Sequence, residues 1–314
     1  MKVIVTGAAG FLGSHLVDKL LSRGDEVLGV DNFLTGDPNN LNHLEGNSNF
    51  SFLEHDVIDP FKVEFEANEI YHLASPASPN FKSAKSYHAL PFDTMAVNTT
   101  GTWNMAEMAL ELDAKFLFAS TSEIYGDPLE HPQKETYRGN VSTTGPRSVY
   151  DEAKRFGETI TSALVRSSEL DGRIIRIFNT YGPRMALDDG RVVIEFVQAA
   201  LQGLPFPVFG DGTQTRSFCY VSDLIEGIVL AMEKGKKGEV YNLGNPGEFT
   251  ILELAQKVKE LTNSASEVTI ARDLPKDDPI KRCPDITKAQ RELGWEPKVS
   301  LQEGLQKLIA ELNT

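Results

Sequence analysis

The feature that most constrains this chain is the string Thr6-Gly7-Ala8-Ala9-Gly10-Phe11-Leu12-Gly13. It lies between the β-branched run Val3-Ile4-Val5 and an amphipathic stretch with Leu12, Leu16 and Leu20 at helical spacing. Glycines at Gly7, Gly10 and Gly13, placed at a strand-to-helix turn, let the backbone approach a pyrophosphate while the helix N-terminus offers partial positive charge. The next strand, Glu26-Val27-Leu28-Gly29-Val30, ends at Asp31, where a carboxylate can accept from both ribose hydroxyls. An aspartate there repels a 2′-phosphate and Asn32 supplies no cation, so the cofactor expected is NAD rather than NADP. Asp56, after the strand-like Phe50-Ser51-Phe52-Leu53, is placed to meet the adenine amino group, with Val57 beside it. Leu73, Ala74 and Ser75 end a later strand at the edge where a dinucleotide lies. Phe11 and Leu12 in the turn, Phe33, Thr35 and Gly36 after the second strand, and Thr180 complete the expected cofactor contacts.

The alternation continues through apolar runs at Glu69–Ala74, Lys115–Ala119 and Arg173–Phe178, separated by segments with helical patterning. This rhythm predicts an α/β fold, a Rossmann-type doubly wound parallel sheet covered on both faces. After Asn179 prolines and glycines cluster, and a smaller C-terminal substrate-binding lobe is expected to begin. The expected division gives 1–178, with about 214–242, to the NAD-binding domain, and 179–213 with 243–314 to the lobe. Thr250-Ile251-Leu252-Glu253 predicts a capping box, and Leu293 and Trp295 are expected in the core. The polar, irregular segment 76–91 is either a lid or a surface excursion.

Composition excludes several function classes. With 45 acidic against 31 basic residues the net charge is -14, which disfavours nucleic acid or an anionic membrane surface as partner. Any anionic substrate must therefore meet a local basic pocket. Two cysteines, Cys219 and Cys283, have no neighbouring ligands at metal spacing, so neither a disulfide framework nor a metal site is expected, and a reducing cytoplasm fits. No apolar run approaches the roughly 20 residues of a membrane span, and strand-like residues from Lys2 leave no room for a signal peptide.

Chemistry is carried by Tyr150 and Lys154, one helical turn apart, read together with Ser120-Thr121-Ser122-Glu123. A Tyr-x-x-x-Lys pair lies on one helix face, so an ammonium can favour the phenolate and make the tyrosine a base for oxidising a hydroxyl group. Glu123 adds a carboxylate beside the same site.

With these motifs in place the chain resembles the extended short-chain dehydrogenases/reductases that act on nucleotide sugars. Longer strings sharpen the likeness to the branch that decarboxylates UDP-glucuronate. They are Tyr71–Pro79, Ser120–Pro128, Tyr150–Arg155, Arg176–Met185, Asp189–Val193 and Gln214–Phe218. Dehydratases of the family carry an aspartate where this chain has Ser122, and typical 4-epimerases lack the glutamate, so Ser122 and Glu123 favour decarboxylation. A nucleotide-sugar 4-epimerase or 4,6-dehydratase remains the alternative.

The resemblance implies that Tyr150 takes the 4-hydroxyl proton, Thr121 aligns the same oxygen, and Lys154 supports the tyrosine and holds the nicotinamide ribose. It implies that Ser122, Glu123, Asn179, Arg191, Arg216 and Arg282 meet the substrate, with Arg282 brought in by the lobe as the cleft closes. Arg155 and Arg173 are expected in surface salt bridges. Related decarboxylases carry a lysine where this chain has Ala96, and the preceding segment is several residues longer here, which makes Lys82 and Lys85 the replacements to examine. The family is commonly dimeric, so a homodimer is expected.

Overall fold

A computed structural model of the protein describes residues 1–272 and 281–313, so 273–280 and Thr314, parts of the span expected for the lobe, lie outside the described residues. In chain order β1 (Lys2–Thr6), α1 (Phe11–Ser22), β2 (Glu26–Asp31), β3 (Phe50–Glu54) and β4 (Glu69–His72) come first. Next, α2 (Pro91–Ala96) passes through a π turn at Val97–Gly101 into α3 (Thr102–Glu111), followed by β5 (Lys115–Thr121), α4 (Ser148–Ser167) and β6 (Gly172–Ile177). Then come β7 (Thr180–Tyr181), α5 (Val192–Gln202), β8 (Phe206–Phe209), β9 (Thr215–Ser217), β10 (Cys219–Tyr220), α6 (Val221–Lys234) and β11 (Val240–Leu243). The chain continues with β12 (Glu248–Thr250), α7 (Ile251–Thr262), β13 (Val268–Arg272), β14 (Lys281–Arg282), α8 (Thr287–Leu293) and α9 (Leu301–Leu312).

Seven strands pair in the order β11-β6-β5-β4-β1-β2-β3, and every pairing is parallel. Parallel strands covered on both faces read as continuous apolar runs because neither face meets water. Val3, Ile4 and Val5 are accordingly fully buried, each contributing about 1.5–3 kcal/mol relative to exposure. The chain leaves β1 toward β2 on one side and returns to β4 on the other. That reversal opens a crevice beyond the carboxyl ends of β1 and β4, where ligands of such sheets bind.

Among the described residues three smaller sheets lie outside the seven-stranded one. β9 pairs antiparallel with β12 and parallel with β14, which sets Arg282 opposite Arg216. The capping box at Thr250 forms in full, its hydroxyl accepting from the Glu253 amide and Glu253 accepting from the Thr250 amide. Trp295 is buried and its ring nitrogen donates to the Asp223 carbonyl at 2.9 Å, while the Asp223 carboxylate accepts from the Lys298 and Val299 amides at 2.8 and 2.7 Å. This pins the C-terminal segment to α6, and removing the indole would cost about 3–5 kcal/mol.

The segment 76–91 is tied to the stretch Asp188–Asp189. Ser78 donates to the Asp189 carbonyl, Asn80 to the Asp188 carbonyl and Ser83 to the Asp188 carboxylate, all at 2.7–2.8 Å. One expectation is corrected: Arg173 is buried, its guanidinium donating to the carbonyl and carboxylate of Asp171 and lying against the Met232 sulfur. It sits on a central strand, where a side chain has protein on its face and not water. Among the described residues no helix is long and apolar enough to cross a membrane.

Candidate active site

A cleft of about 1130 Å³ runs from the turn after β1 to β14. At its cofactor end Gly7 adopts φ +72°, and a Cβ there would come within 2.8 Å of the Ala74 backbone nitrogen. A Cβ on Gly13 would lie 1.9 Å from the Gly7 carbonyl oxygen, so α1 can seat on the turn only without a side chain there. Asp31 accepts from the Ala9 amide at 3.0 Å and the Phe33 amide at 2.8 Å, one on each oxygen. Burial pushes its pKa up while those amides pull it down, with a net rise. A carboxylate held in this way still has lone pairs to offer a diol. Asn32 donates to Asp56 at 2.8 Å, joining two residues expected on the adenosine. The turn, the fixed carboxylate and the absence of an added cation on Asn32 fit a dinucleotide.

Every residue expected to contact cofactor or substrate lines this cleft except Phe33. Phe33 turns away and stacks on Phe52 with ring centroids 5.1 Å apart, because its left-handed backbone (φ 56°) aims the ring at the sheet. Lys85 reaches across the mouth to the Thr35 carbonyl at 3.4 Å, while Lys82 stands toward Glu195. Both lysines line the cleft and Ala96 does not.

At the catalytic end, β5 delivers Thr121, which ends the strand and accepts from the Glu123 amide at 3.2 Å. The Thr121 hydroxyl also hydrogen-bonds Tyr150, which α4 presents beside Lys154. The Lys154 ammonium donates to the Ala119 carbonyl at 2.7 Å and lies 5.9 Å over the Tyr150 ring. Burial decides the protonation here. It pushes Tyr150 up to about 12, opposed by the Arg191 charge and the Thr121 hydrogen bond, and lowers Lys154 to about 7. The expectation that Lys154 brings the phenol's pKa down is not met, since desolvation outweighs the Arg191 charge and the Thr121 hydrogen bond that oppose it.

Glu123 accepts from Arg282 through one oxygen and from Arg147 through the other. Although burial opposes it, the Arg147 and Arg282 charges hold this carboxyl well below the usual carboxylate range. Asp151 goes the other way, raised to about 8 by burial and by the negative Glu123 nearby. Arg282, on β14, lines the cleft and pairs with Glu123. The residues after it are clamped to the main domain, where Cys283 donates its amide to the Gln133 side chain at 2.9 Å and the Gln133 amide donates to the Cys283 carbonyl at 2.8 Å. Asp285, three residues further on, accepts from the Thr287 amide at 2.9 Å, while Arg282 pairs with Glu123. Arg191 pairs with Asp189 at 2.7 Å and donates to the Ala77 carbonyl, and Arg216 and Asn179 stand in the same wall.

Three residues escaped the sequence reading. Arg147 precedes Tyr150 by about one helical turn, and a cation at a helix N-cap, against the macrodipole, is the sign that could have revealed it. Tyr87 stacks on Tyr150 with centroids 5.0 Å apart from a segment without regular pattern. His72, buried and bonded to Thr6 at 2.7 Å, is lowered to about 3 by burial and by Lys154 and stays neutral.

A family model described as GDP-mannose 4,6 dehydratase matches residues 4–308. UDP-glucuronic acid decarboxylase 1 of Arabidopsis thaliana is 53% identical over 311 residues, which cover 99% of this chain and 69% of the relative. Among solved structures, the UDP-glucose 4-epimerase of Thermotoga maritima with UDP-glucose is 33% identical with a TM-score of 0.88, covering 100% of this chain and 99% of the other. The UDP-glucuronic acid 4-epimerase of Bacillus cereus, in complex with UDP-glucuronic acid and NAD, is 29% identical with a TM-score of 0.86 over the same shares. With half its residues shared over nearly its whole length, the chain belongs to the UDP-glucuronic acid decarboxylases of the extended short-chain dehydrogenase/reductase group.

Proposed function

We propose that the protein is an NAD-dependent lyase that converts UDP-glucuronate to UDP-xylose through a 4-keto intermediate, redox-neutral overall. The observation that carries this reading is Glu123 held between two arginines beside Thr121 and Tyr150. A dehydratase would need an acid at the next position, which Ser122 does not supply, so the 4-epimerase and 4,6-dehydratase alternatives are not favoured.

Bound between the glycine turn, Asp31, Asn32, Asp56, Ser75 and Lys154, NAD would supply the acceptor that takes a hydride from carbon 4 and later returns it. Thr121 orients the 4-hydroxyl and Tyr150 takes its proton. In a hexuronate this oxidation makes the carboxyl group β to a ketone, so the C–C bond electrons can flow into the new carbonyl as carbon dioxide leaves. The resulting enolate carries its charge on the 4-oxygen, beside the Thr121 and Tyr150 hydroxyls that can donate to it. Arg282, with Nε and Nη2 buried and without a hydrogen-bond partner among the described residues, suits orienting the carboxylate and then holding the group that protonates carbon 5. Arg191, Arg216 and Asn179 take the diphosphate side, where a guanidinium fork pairs two oxygens at once.

The lobe spans 179–213 and 243–314 serve the nucleotide sugar. Exposed Phe92, Trp103 and Phe156 on α2, α3 and α4 suit a homodimer through those helices, readable by sedimentation of the purified chain. A reducing cytoplasm suits the free cysteines. The test of the function is incubation with UDP-glucuronate and no added reductant. A five-carbon sugar nucleotide and carbon dioxide are expected, and a product with all six sugar carbons refutes the reading.

A further inference from the structure

Arg282 sits on β14, a strand of only two residues, so what holds its backbone in place lies largely outside the strand. On one side β14 pairs with β9 and sets Arg282 opposite Arg216. On the other lies Gln133, fully buried in the long connection between β5 and α4. Its backbone forms a short parallel ladder with the residues beyond Arg282. The Gln133 amide donates to the Cys283 carbonyl and the Asp285 amide donates to the Gln133 carbonyl, both at 2.8 Å. The Gln133 side chain reaches one step closer to the site. Its Oε1 accepts at 2.9 Å from the Cys283 amide, the nitrogen of the peptide that begins at the Arg282 carbonyl carbon. Nε2 donates to the Glu130 carbonyl at 2.7 Å, which keeps the oxygen of the side chain turned toward Cys283.

Gln133 is in turn tied to the main sheet. Asn242 on β11 donates to the Gln133 carbonyl at 3.0 Å, and its own side-chain oxygen accepts from the Tyr125 hydroxyl at 2.8 Å. All three side chains are buried, and leaving the buried Cys283 amide without an acceptor would cost about 1–3 kcal/mol, so the peptide stays where Oε1 is. The guanidinium it carries has little freedom to lose: Nη1 is held by Glu123, and Nε and Nη2 are buried without a hydrogen-bond partner among the described residues. A displacement of about 1 Å at such a group can cost about a hundredfold in rate.

We propose that Gln133 is a positioning residue for Arg282. By fixing the Arg282–Cys283 peptide, its side-chain oxygen decides whether the intermediate left after carbon dioxide departs is completed to the UDP-pentose or escapes as the 4-keto pentose. Gln133 is not in the wall of the cleft and acts only through Arg282. An enolate that escapes takes its proton from water, and the hydride removed from carbon 4 stays behind as one NADH for each molecule lost.

This inference rests on the decarboxylase reading and on the late role given there to Arg282, and the experiment separates the failures. Single turnovers of the NAD-loaded protein with UDP-glucuronate are followed by NADH absorbance and by mass spectrometry of the UDP-pentose and UDP-4-keto-pentose. A parent that yields no five-carbon product, or an Arg282→His variant that leaves the 4-keto fraction unchanged, sinks that reading and this inference with it. With both in hand, Gln133→Met, unbranched and of similar size but without the acceptor, should raise the 4-keto fraction at least about fivefold. NAD affinity and the rate of first NADH formation should stay within about threefold of the parent's. In the Arg282→His background the same change should alter the fraction by less than about twofold, because its effect runs through that guanidinium. Gln133→Glu keeps an oxygen for the Cys283 amide, and its acid form, which burial favours, can donate to Glu130, so the fraction should return toward the parent's. An unchanged fraction in Gln133→Met with only a lowered Tm, or a rise of the same size with Arg282 already replaced, overturns the proposal. Where Gln133→Met fails to fold, Gln133→Asn, whose shorter side chain withdraws the oxygen from the Cys283 amide, carries the test with the same two outcomes.

Discussion

Two carboxylates, the buried Asp31 and the partly buried Glu123, stand at opposite ends of the cleft and are held by different means. Asp31 is fixed by the Ala9 and Phe33 amides, and backbone amides do most to offset burial's effect on it, with a smaller share from Lys85. Glu123 is fixed by two guanidiniums from distant parts of the chain and is driven deep into its ionised form. Backbone amides give orientation at little net charge, as a site for a neutral ribose diol needs. Paired arginines give charge, as a site for an anionic sugar needs. The cofactor end is thus a matter of shape and the catalytic end a matter of charge balance.

Substitutions that break this contrast should have unequal effects. The largest is expected for Tyr150→Phe, which keeps the ring stacked on Tyr87 but removes the proton acceptor. Turnover should fall by about a thousandfold or more while NAD and nucleotide-sugar affinity stay near the parent's. Stopped-flow NADH absorbance together with equilibrium titration reads both, and turnover near that of the parent would move the base elsewhere.

Asp31→Ala comes next and acts only at the shape end. NAD should bind about 10- to 100-fold more weakly, and discrimination against NADP should relax, since a hydrogen-bonding and repulsive carboxylate is lost. Titrating both cofactors checks this, and an unchanged NAD/NADP ratio would mean that another residue reads the ribose.

The smallest effect sharpens the charge end through pH. Asp151 is raised to about 8 in the folded protein, against about 3.9 when unfolded, so between those values the folded chain holds the extra proton. The stability this gives is fully present below the unfolded value and is lost as pH climbs through 8. Asp151→Asn removes that slope, so calorimetry from about pH 5 to about pH 8.5 should show the variant losing less Tm than the parent, by roughly 2 to 4 °C. Equal losses would mean that Asp151 titrates normally.

The same contrast explains how much was legible beforehand. The glycine turn, Asp31 and the Tyr150–Lys154 pair are local patterns whose spacing carries their geometry, and the parallel sheet follows from apolar runs that alternate with helices. The charge cluster joins residues 123, 147 and 282, which only tertiary packing brings together. Arg282 could be placed in the site by resemblance, but its clamp through Gln133 and its pairing with Glu123 could not. Burial was the other hidden quantity: it reversed the expected direction for Tyr150 and decided that of Lys154, because desolvation depends on neighbours that spacing does not name. Phe33 was misplaced for a related reason, since a left-handed backbone at a bulky residue is rarely foreseen from sequence.

The central claim is that carbon 4 is oxidised and then reduced again by the same hydride within one bound complex. The most direct test is turnover of UDP-glucuronate carrying deuterium at carbon 4, with the product examined by mass spectrometry and proton NMR. The account predicts a UDP-pentose that retains the deuterium at carbon 4, carbon dioxide in equal amount and no net NADH. Deuterium lost to solvent or carried off on released cofactor, or a six-carbon product, would contradict it.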